Sequence, residues 1–320
     1  MYIFGIMAGL ALLIVGAELL VRGGSALARR FGVSELVVGL TIVAFGTSGP
    51  ELVVSVVSAI QGSTGLAVSN VLGSNLFNLL LILGIASLVT PLAVDKNTVW
   101  KGIPFLVLAA ASVFFLSEPQ GACPGLSSTL SLYDGLMLLC LFVIFIYYTF
   151  SIAKSENVLE SVPVGLTGSI KGMAMAGLVA GGLLLLILGG RIFVASAVLL
   201  ARKFGMSESL VGLTVVAAGT SLPELATSVV AAYRGKISMA VGNVVGSNIF
   251  NTFLILGLSV IIRPATLNKG DLYDAAAVFA ASLTLFLFMF TGKRRELDRW
   301  EGGAFIFAFT AYMWFRIAYI

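Results

Sequence analysis

"VAFGTSGPELVVS", residues 43–55, lies inside an apolar run about long enough to cross a bilayer, roughly 20 residues. Its middle holds two glycines, two hydroxyls, a proline and a carboxylate, each a poor choice for an inert membrane helix. Pro50 removes a backbone donor and clashes with the turn before it, so a helix bends or breaks here. Glu51 follows at once, and an ionised carboxylate at membrane depth costs at least ~3 kcal/mol. The stretch reads as a broken membrane helix built around a charge.

The rest of the chain fits that setting. Of its 320 residues, 59% are hydrophobic and 11% charged, with a mean hydropathy of +1.07. A soluble protein of that balance would expose large apolar patches, so the fold class is all-α, a polytopic membrane protein whose partner is the lipid bilayer. Bilayer-length windows parse into ten spans, roughly 2–21, 36–60, 65–89, 101–117, 130–150, 172–197, 208–232, 238–262, 273–292 and 301–319. The first is not read as a signal peptide: no basic segment precedes it, and Arg22, Arg29 and Arg30 follow it.

Thirteen Lys and Arg fall in the loops after spans 1, 3, 5, 7 and 9. The other side holds Arg202, Lys203, Arg263 and Lys269, with Arg191 and Arg316 inside or at the ends of spans. The positive-inside bias then places both termini outside. No soluble domain remains to present a nucleic-acid patch, and no obligate protein partner is evident. The chain has no histidine, which removes histidine proton relays, histidine metal sites and histidine-based catalysis. Cys123 in an outer loop and Cys140 inside span 5 are too few for a thiolate metal site and badly placed for a disulfide.

A shift of 173 lays one half of the chain over the other. "VGLTIVAFGTSGPELVVSVV" at 38–57 matches 211–230 at 15 of 20 positions, and "LAVSNVLGSNLFNLLLILG" at 66–84 matches 239–257 at 13 of 19. Each copy holds five spans, an odd number, so the second enters the membrane from the opposite face. The expected organisation is two inverted five-helix repeats, 1–150 and 172–320, joined by a cytoplasmic linker at 151–171. Inverted repeats with discontinuous helices are a transporter architecture, with substrate bound near the midplane where the copies meet.

Pro50 and Pro223 break their helices, and Gly46 and Gly219 ease unusual backbone angles there. Carbonyls such as those of Ala44, Thr47, Ala217 and Thr220 are then expected to leave the helical ladder, which a bilayer tolerates only where they are buried in protein or line a cavity. Glu51 and Glu224 supply charge. A buried base or a permanently protonated state would explain them structurally, but spans 2, 3, 7 and 8 contain no basic residue. On the next span Asn70, Ser74 and Asn78 are spaced by four, as are Asn243, Ser247 and Asn251, so each set shares one helix face. Asn75 and Asn248 point off that stripe and read as packing or supporting groups. Two carboxylates with hydroxyl, amide and carbonyl oxygens form an all-oxygen site suited to hard cations, Ca²⁺ foremost. The same oxygens can hold Na⁺, and the glutamates can take H⁺.

"GTSGPE…GSNLFN" and "GTSLPE…GSNIFN", each across two helices, resemble the α-repeats of the cation/Ca²⁺ exchanger superfamily, closest to its sodium/calcium exchanger branch and the bacterial and archaeal homologues. The resemblance covers all ten spans in organisation and about sixty residues in motif. It implies antiport of Ca²⁺ against Na⁺ by alternating access across a prokaryotic cytoplasmic membrane, with both ions as substrates and no permanently bound cofactor. By position it makes Glu51 and Glu224 the shared carboxylates, with hydroxyls and carbonyls from Thr47 and Thr220. Ser74 and Ser247 would add hydroxyls, Ala44 and Ala217 carbonyls at sodium sites, and Asn78 and Asn251 midplane amides. Ser48 and Ser221 would support by hydrogen bonding. Potassium-dependent exchangers carry Asp at the Asn251 position, which argues against potassium co-transport, although some prokaryotic relatives also have Asp there. The "GNxxE" pattern usual in proton/calcium exchangers is absent. Gly49 departs from the leucine usual at its position, which the second copy keeps as Leu222.

An enzyme reading fails. "GTSG" at 46–49 fits the Gly-x-Ser-Gly pattern of rhomboid proteases, but a serine nucleophile needs a base and there is no histidine. H⁺-coupled antiport of Ca²⁺ or another divalent cation is the alternative, and a cation channel the rival class. Glu18, four before Arg22, reads as an interfacial pair. Lys293, Arg294, Arg295 and Arg299 read as a topology and headgroup determinant, Trp300 and Trp314 as interfacial anchors, and Asp95, Asp134 and Asp271 as solvated residues at span ends.

Overall fold

The computed structural model describes residues 2–94, 98–117, 129–155, 172–203, 217–291 and 295–319. Cys123, Asp95, most of the 151–171 linker and the expected start of span 7 lie outside the described residues. Apart from two short antiparallel strand pairs, the described elements are helices. Seven are long and apolar enough to cross a membrane: Tyr2–Phe31, Thr64–Val89, Thr98–Ser117, Leu132–Ser151, Gly172–Ala201, Ile237–Ile262 and Lys269–Phe288. Glu35–Thr47 and Gly49–Ile60, bent by 49°, make an eighth if taken as one span. Ala217–Thr220, Leu222–Tyr233 and Arg299–Tyr319 are the other helices.

The duplication in sequence is a duplication in structure. Gly49–Ile60 and Leu222–Tyr233 are 173 apart at both ends, as are Thr64–Leu76 and Ile237–Ile249. Both of the latter then widen into π-helical turns, Phe77–Ile82 and Phe250–Leu256. Such wide turns recur at functional sites, and here they carry Asn78 and Asn251.

Burial ranks the helices. The apolar windows of Thr64–Val89 and Ile237–Ile262 are each 78% buried, against 28% for Tyr2–Phe31 and 17% for Gly172–Ala201. The duplicated helices thus form the centre, and the two long helices ride at the edge. Phe4, Tyr147, Met173 and Phe307 are exposed on the outside, as lipid-facing residues should be, and so are Trp300 and Trp314.

Two seams of glycine hold this arrangement. Gly9 and Gly16 face Gly189 and Gly182 on the antiparallel long helix, and Gly23, seven further on, faces Val179. A Cβ at Gly9 would lie 2.7 Å from the Phe193 nitrogen, and one at Gly182 2.7 Å from the Leu20 nitrogen. Without side chains the two backbones touch directly, the contact that packs helices well in lipid. The second seam crosses the halves: a Cβ on Gly39 would lie 2.7 Å from the Met239 carbonyl, and one on Gly246 2.7 Å from the Leu40 carbonyl.

Loop contacts sort by face. On one face Glu18 pairs with Arg22 at 2.6 Å and with Arg234 at 2.9 Å, and Lys236 pairs with Glu35 at 2.7 Å. The expected Glu18–Arg22 pair is therefore present, enlarged by a second arginine. Leu92–Ala93 pairs antiparallel with Glu296–Leu297. Elsewhere Thr129–Leu130 pairs antiparallel with Ala265–Thr266, and Lys203 lies over the Tyr2 ring.

One expectation is corrected. Asp271 is buried, not solvated: it accepts from the Ser69 hydroxyl at 2.8 Å and from the Asn268 nitrogen at 3.0 Å. The helix starts at Lys269, four residues earlier than expected, capped reciprocally by Asn268 and Asp271. That puts Asp271 in its first turn, against the Thr64–Leu76 helix. Asp134 is half-buried and caps the Ser131 nitrogen at 2.7 Å. Arg316 reaches from the last helix to Asp274, at 3.1 and 3.2 Å.

Candidate cation site

Both breaks fall on a serine. Ser48 (φ −78°, ψ 7°) and Ser221 (φ −89°, ψ 7°) leave the helical region, and each helix resumes with proline in its first turn, where a missing N–H costs nothing. Glu51 and Glu224 therefore sit in the first turn of new half-helices, where exposed N–H groups favour negative charge. Both are fully buried. No Lys or Arg pairs with either among the described residues.

The two breaks meet each other. The Ser48 hydroxyl donates to Glu224 Oε1 at 3.0 Å, and the Ser221 hydroxyl donates to Glu51 Oε1 at 2.9 Å. Each serine serves the other half's glutamate, so the expected supporting role of Ser48 and Ser221 is visible as geometry. The Ser74 hydroxyl reaches Glu51 Oε1 at 3.4 Å. Thr47 donates to Asn243 Oδ1 at 3.2 Å, drawn together because Gly39 and Gly246 let the broken helix of one half lie against the central helix of the other. Thr220 borders the same region, and Ala217 begins the short helix that leads to it.

Amides fix the flanks in both copies. Asn70 donates to Ser55 and Asn243 to Ser228, each at 2.9 Å. Asn75 donates to Thr252 at 2.9 Å and accepts from Asn251 at 3.2 Å, so the residue expected to point off the stripe ties the halves together. Ser55, Ser228 and Thr252 were not read from the sequence. Ser55 and Ser228 follow the glutamates by four in both copies, a same-face signal that identifies them.

Several buried oxygens have no hydrogen-bond partner among the described residues: Glu51 Oε2, Glu224 Oε2, Asn78 Oδ1, Asn251 Oδ1 and the Ser247 hydroxyl. Buried polar groups are nearly always paired, so a cluster of unpaired oxygens around two carboxylates suits a cation. No three Asp, Glu, His or Cys side chains converge among the described residues, and the charge comes from two glutamates. One expectation shifts. The Ala44 carbonyl stays in the helical ladder, accepting from the Ser48 nitrogen at 3.0 Å and from the Thr47 hydroxyl at 3.3 Å. Pro50 withholds its N–H from the residue four before it, Gly46, so the break begins beyond Ala44.

The halves are not in equivalent positions. Tyr2–Phe31 packs along Leu222–Tyr233, whereas Gly49–Ile60 has no comparable packing against Gly172–Lys203. Between them instead is a cavity of about 510 Å³ bordered by Pro50, Val54, Ile187, Arg191, Thr220 and Pro223, among others. Gly49 also borders it, and a Cβ there would meet nothing within 4 Å among the described residues. The departure from leucine at this position widens the cavity.

Facing helix breaks, buried carboxylates and an oxygen-lined centre within a multi-pass helical membrane protein define a cation antiporter. Residues 1–151 and 174–318 match the sodium/calcium exchanger protein family, and the chain belongs to it. The sodium/calcium exchanger MaX1 of Methanosarcina acetivorans is 32% identical over 339 residues, covering 95% of each chain. The inner membrane protein YrbG of Escherichia coli is 36% identical over 269 residues, 81% of this chain and 79% of that one. A solved structure of the sodium-calcium exchanger NCX_Mj, soaked with 2.5 mM Na⁺ and 0.1 mM Ca²⁺, superposes with a TM-score of 0.81. The two are 30% identical, over 98% of this chain and 97% of that one. Cation/Ca²⁺ exchange across a membrane is the activity of this chain.

Proposed function

We propose that the coupling ion is Na⁺ and that Ca²⁺ and Na⁺ share one midplane site exposed to each face in turn. The observation that carries this is the reciprocal pair of serine–glutamate bonds across the two breaks, each leaving one carboxylate oxygen unpaired in the centre. Glu51 and Glu224 carry the charge; Thr47, Thr220, Ser74 and Ser247 supply hydroxyls, Ala217 a carbonyl, and Asn78 and Asn251 amides. Two carboxylates neutralise one Ca²⁺, and the same oxygens accept Na⁺ in its place.

The proposed architecture is ten spans in two inverted halves, 1–150 and 172–320, with 151–171 as a cytoplasmic linker and both termini outside a prokaryotic cytoplasmic membrane. The loop contacts support it. Loops after spans 1 and 7 meet through Glu35 and Lys236, as do those after 3 and 9, while the segment before span 5 meets the one after span 8. Odd thus meets odd and even meets even. Alternating access draws support from the unequal packing: the second half's glutamate helix is covered by the first half's long helix, while its counterpart in the first half faces a cavity. Exchanging the two roles would open the site to the opposite face.

Ca²⁺ uptake into proteoliposomes tests the coupling, comparing an outward Na⁺ gradient, an outward H⁺ gradient and none. Uptake is expected with Na⁺ alone; uptake driven by H⁺ would change the coupling ion, and equal uptake without a gradient would make the protein a channel. Ser221→Ala removes a hydroxyl that donates to a charged acceptor, an interaction worth ~1.5–3 kcal/mol. Apparent Ca²⁺ affinity in the Na⁺-driven assay is expected to fall about tenfold, with Ser48→Ala matching it.

A further inference from the structure

Hydroxyls in the membrane helices follow a habit. Thr41, Ser112, Thr149, Ser259, Ser282 and Thr284 each donate to the carbonyl four residues back in their own helix, which satisfies the group without any outside partner. Thr227 does not. It is fully buried and its Oγ1 has no hydrogen-bond partner among the described residues. Ser25, Thr98 and Ser247 are the other buried hydroxyls in that condition, and Ser247 belongs to the cation site. An unpaired hydroxyl away from water is costly, and a threonine on a helix has its own backbone within reach as a remedy.

Position gives Thr227 its meaning. It stands one turn beyond Glu224 on the buried face of Leu222–Tyr233, the half-helix now covered by Tyr2–Phe31. Its counterpart 173 residues earlier is Val54, which borders the open cavity beside Pro50. Threonine and valine have nearly the same shape, so the two copies differ here by a methyl group exchanged for a hydroxyl. On the Val54 side a cation one turn beyond its glutamate meets a methyl group at this position. On the Thr227 side an oxygen waits one helical turn away.

We propose that Thr227 is a further cation-coordinating residue, lending its hydroxyl to an ion passing between Glu224 and the face bearing Arg234 and Lys236. This rests on the alternating-access reading, in which the Thr227 side becomes the open one. It makes the exchanger two-sided in affinity: the face reached past Thr227 binds the dehydrating cation more tightly than the face reached past Val54.

The test uses the full-length protein in proteoliposomes of uniform orientation, with Ca²⁺ half-saturation measured at each face in turn under matched Na⁺ gradients. Thr227→Val, which restores the symmetry of the repeats, is expected to raise half-saturation about 5–10-fold at the Arg234 face and to leave the opposite face within about twofold. Thr227→Ser should keep the wild-type value at both faces, and Val54→Thr should lower half-saturation at the face it borders. Equal shifts at both faces, or none at either, would overturn the assignment. Glu224→Gln is measured alongside. If it abolishes exchange while Thr227→Val matches wild type at both faces, Thr227 alone is misassigned; if Glu224→Gln still exchanges, the underlying site reading falls.

Discussion

Glu51→Gln eliminates Ca²⁺ exchange and leaves the protein folded. Glutamine keeps the oxygen that accepts from Ser221 and Ser74, so the cross-half contact that shapes the site survives. It puts an amide nitrogen where the unpaired Oε2 lies, replacing an acceptor with a donor at the point a cation needs. It also removes one of two charges in a site where no Lys or Arg pairs with either carboxylate among the described residues. A unit charge ~4 Å away is worth roughly 4 kcal/mol at an effective dielectric constant of 20, about a thousandfold in affinity. The duplicated geometry predicts the same loss for Glu224→Gln. Na⁺-driven Ca²⁺ uptake, with size-exclusion profile and helical circular dichroism as controls for folding, decides the matter; wild-type flux in either variant would falsify the assignment of the carboxylates.

The second large effect is on stability. Gly246 is the residue before Ser247, and a Cβ there would lie 2.7 Å from the Ala44 Cβ, 2.7 Å from the Leu40 carbonyl and 2.8 Å from the Leu40 Cα. Two of the three are backbone atoms, which a rotamer change cannot move aside. Gly246→Val must drive the central helix of one half away from the broken helix of the other. Overpacking of this kind costs of order 3 kcal/mol, and it separates Thr47 from Asn243, so thermal unfolding in detergent should drop by many degrees and exchange should vanish. Gly303→Ala is the contrasting case. A Cβ there meets nothing within 4 Å among the described residues, and alanine gains up to about 1 kcal/mol of helix propensity, so the melting temperature should hold or rise.

Much of the site was legible because the chemistry is written twice. A carboxylate behind a proline in an apolar run is anomalous alone, and at a spacing of 173 the anomaly repeats with its companion amides. Asn70 and Asn243, the first residues of the two stripes, make the same bond in both copies. What could not be read is what depends on the approach of one half to the other. Nothing local says that Ser48 serves Glu224, or that Asn75 meets Asn251, because these partners are about 176 residues apart. Asp271 was misjudged for a different reason: Asn268 starts its helix early, and a capping side chain overrode a hydropathy window. Ala44 was misjudged because proline acts four residues back along the ladder and not six.

The glycine seam between the two long helices has a consequence for leakage. Gly9 and Gly16 set their backbones against Gly182 and Gly189, so the pair is built as one stiff beam. In the proposed cycle, lifting Tyr2–Phe31 from Leu222–Tyr233 swings Gly172–Lys203 toward Gly49–Ile60 in the same stroke. A through-channel would need both half-helices uncovered together, and that would require the beam to split along its most intimate contact. In that cycle the tightness of the exchanger would be a property of a seam at the rim of the molecule as much as of the oxygens at its centre.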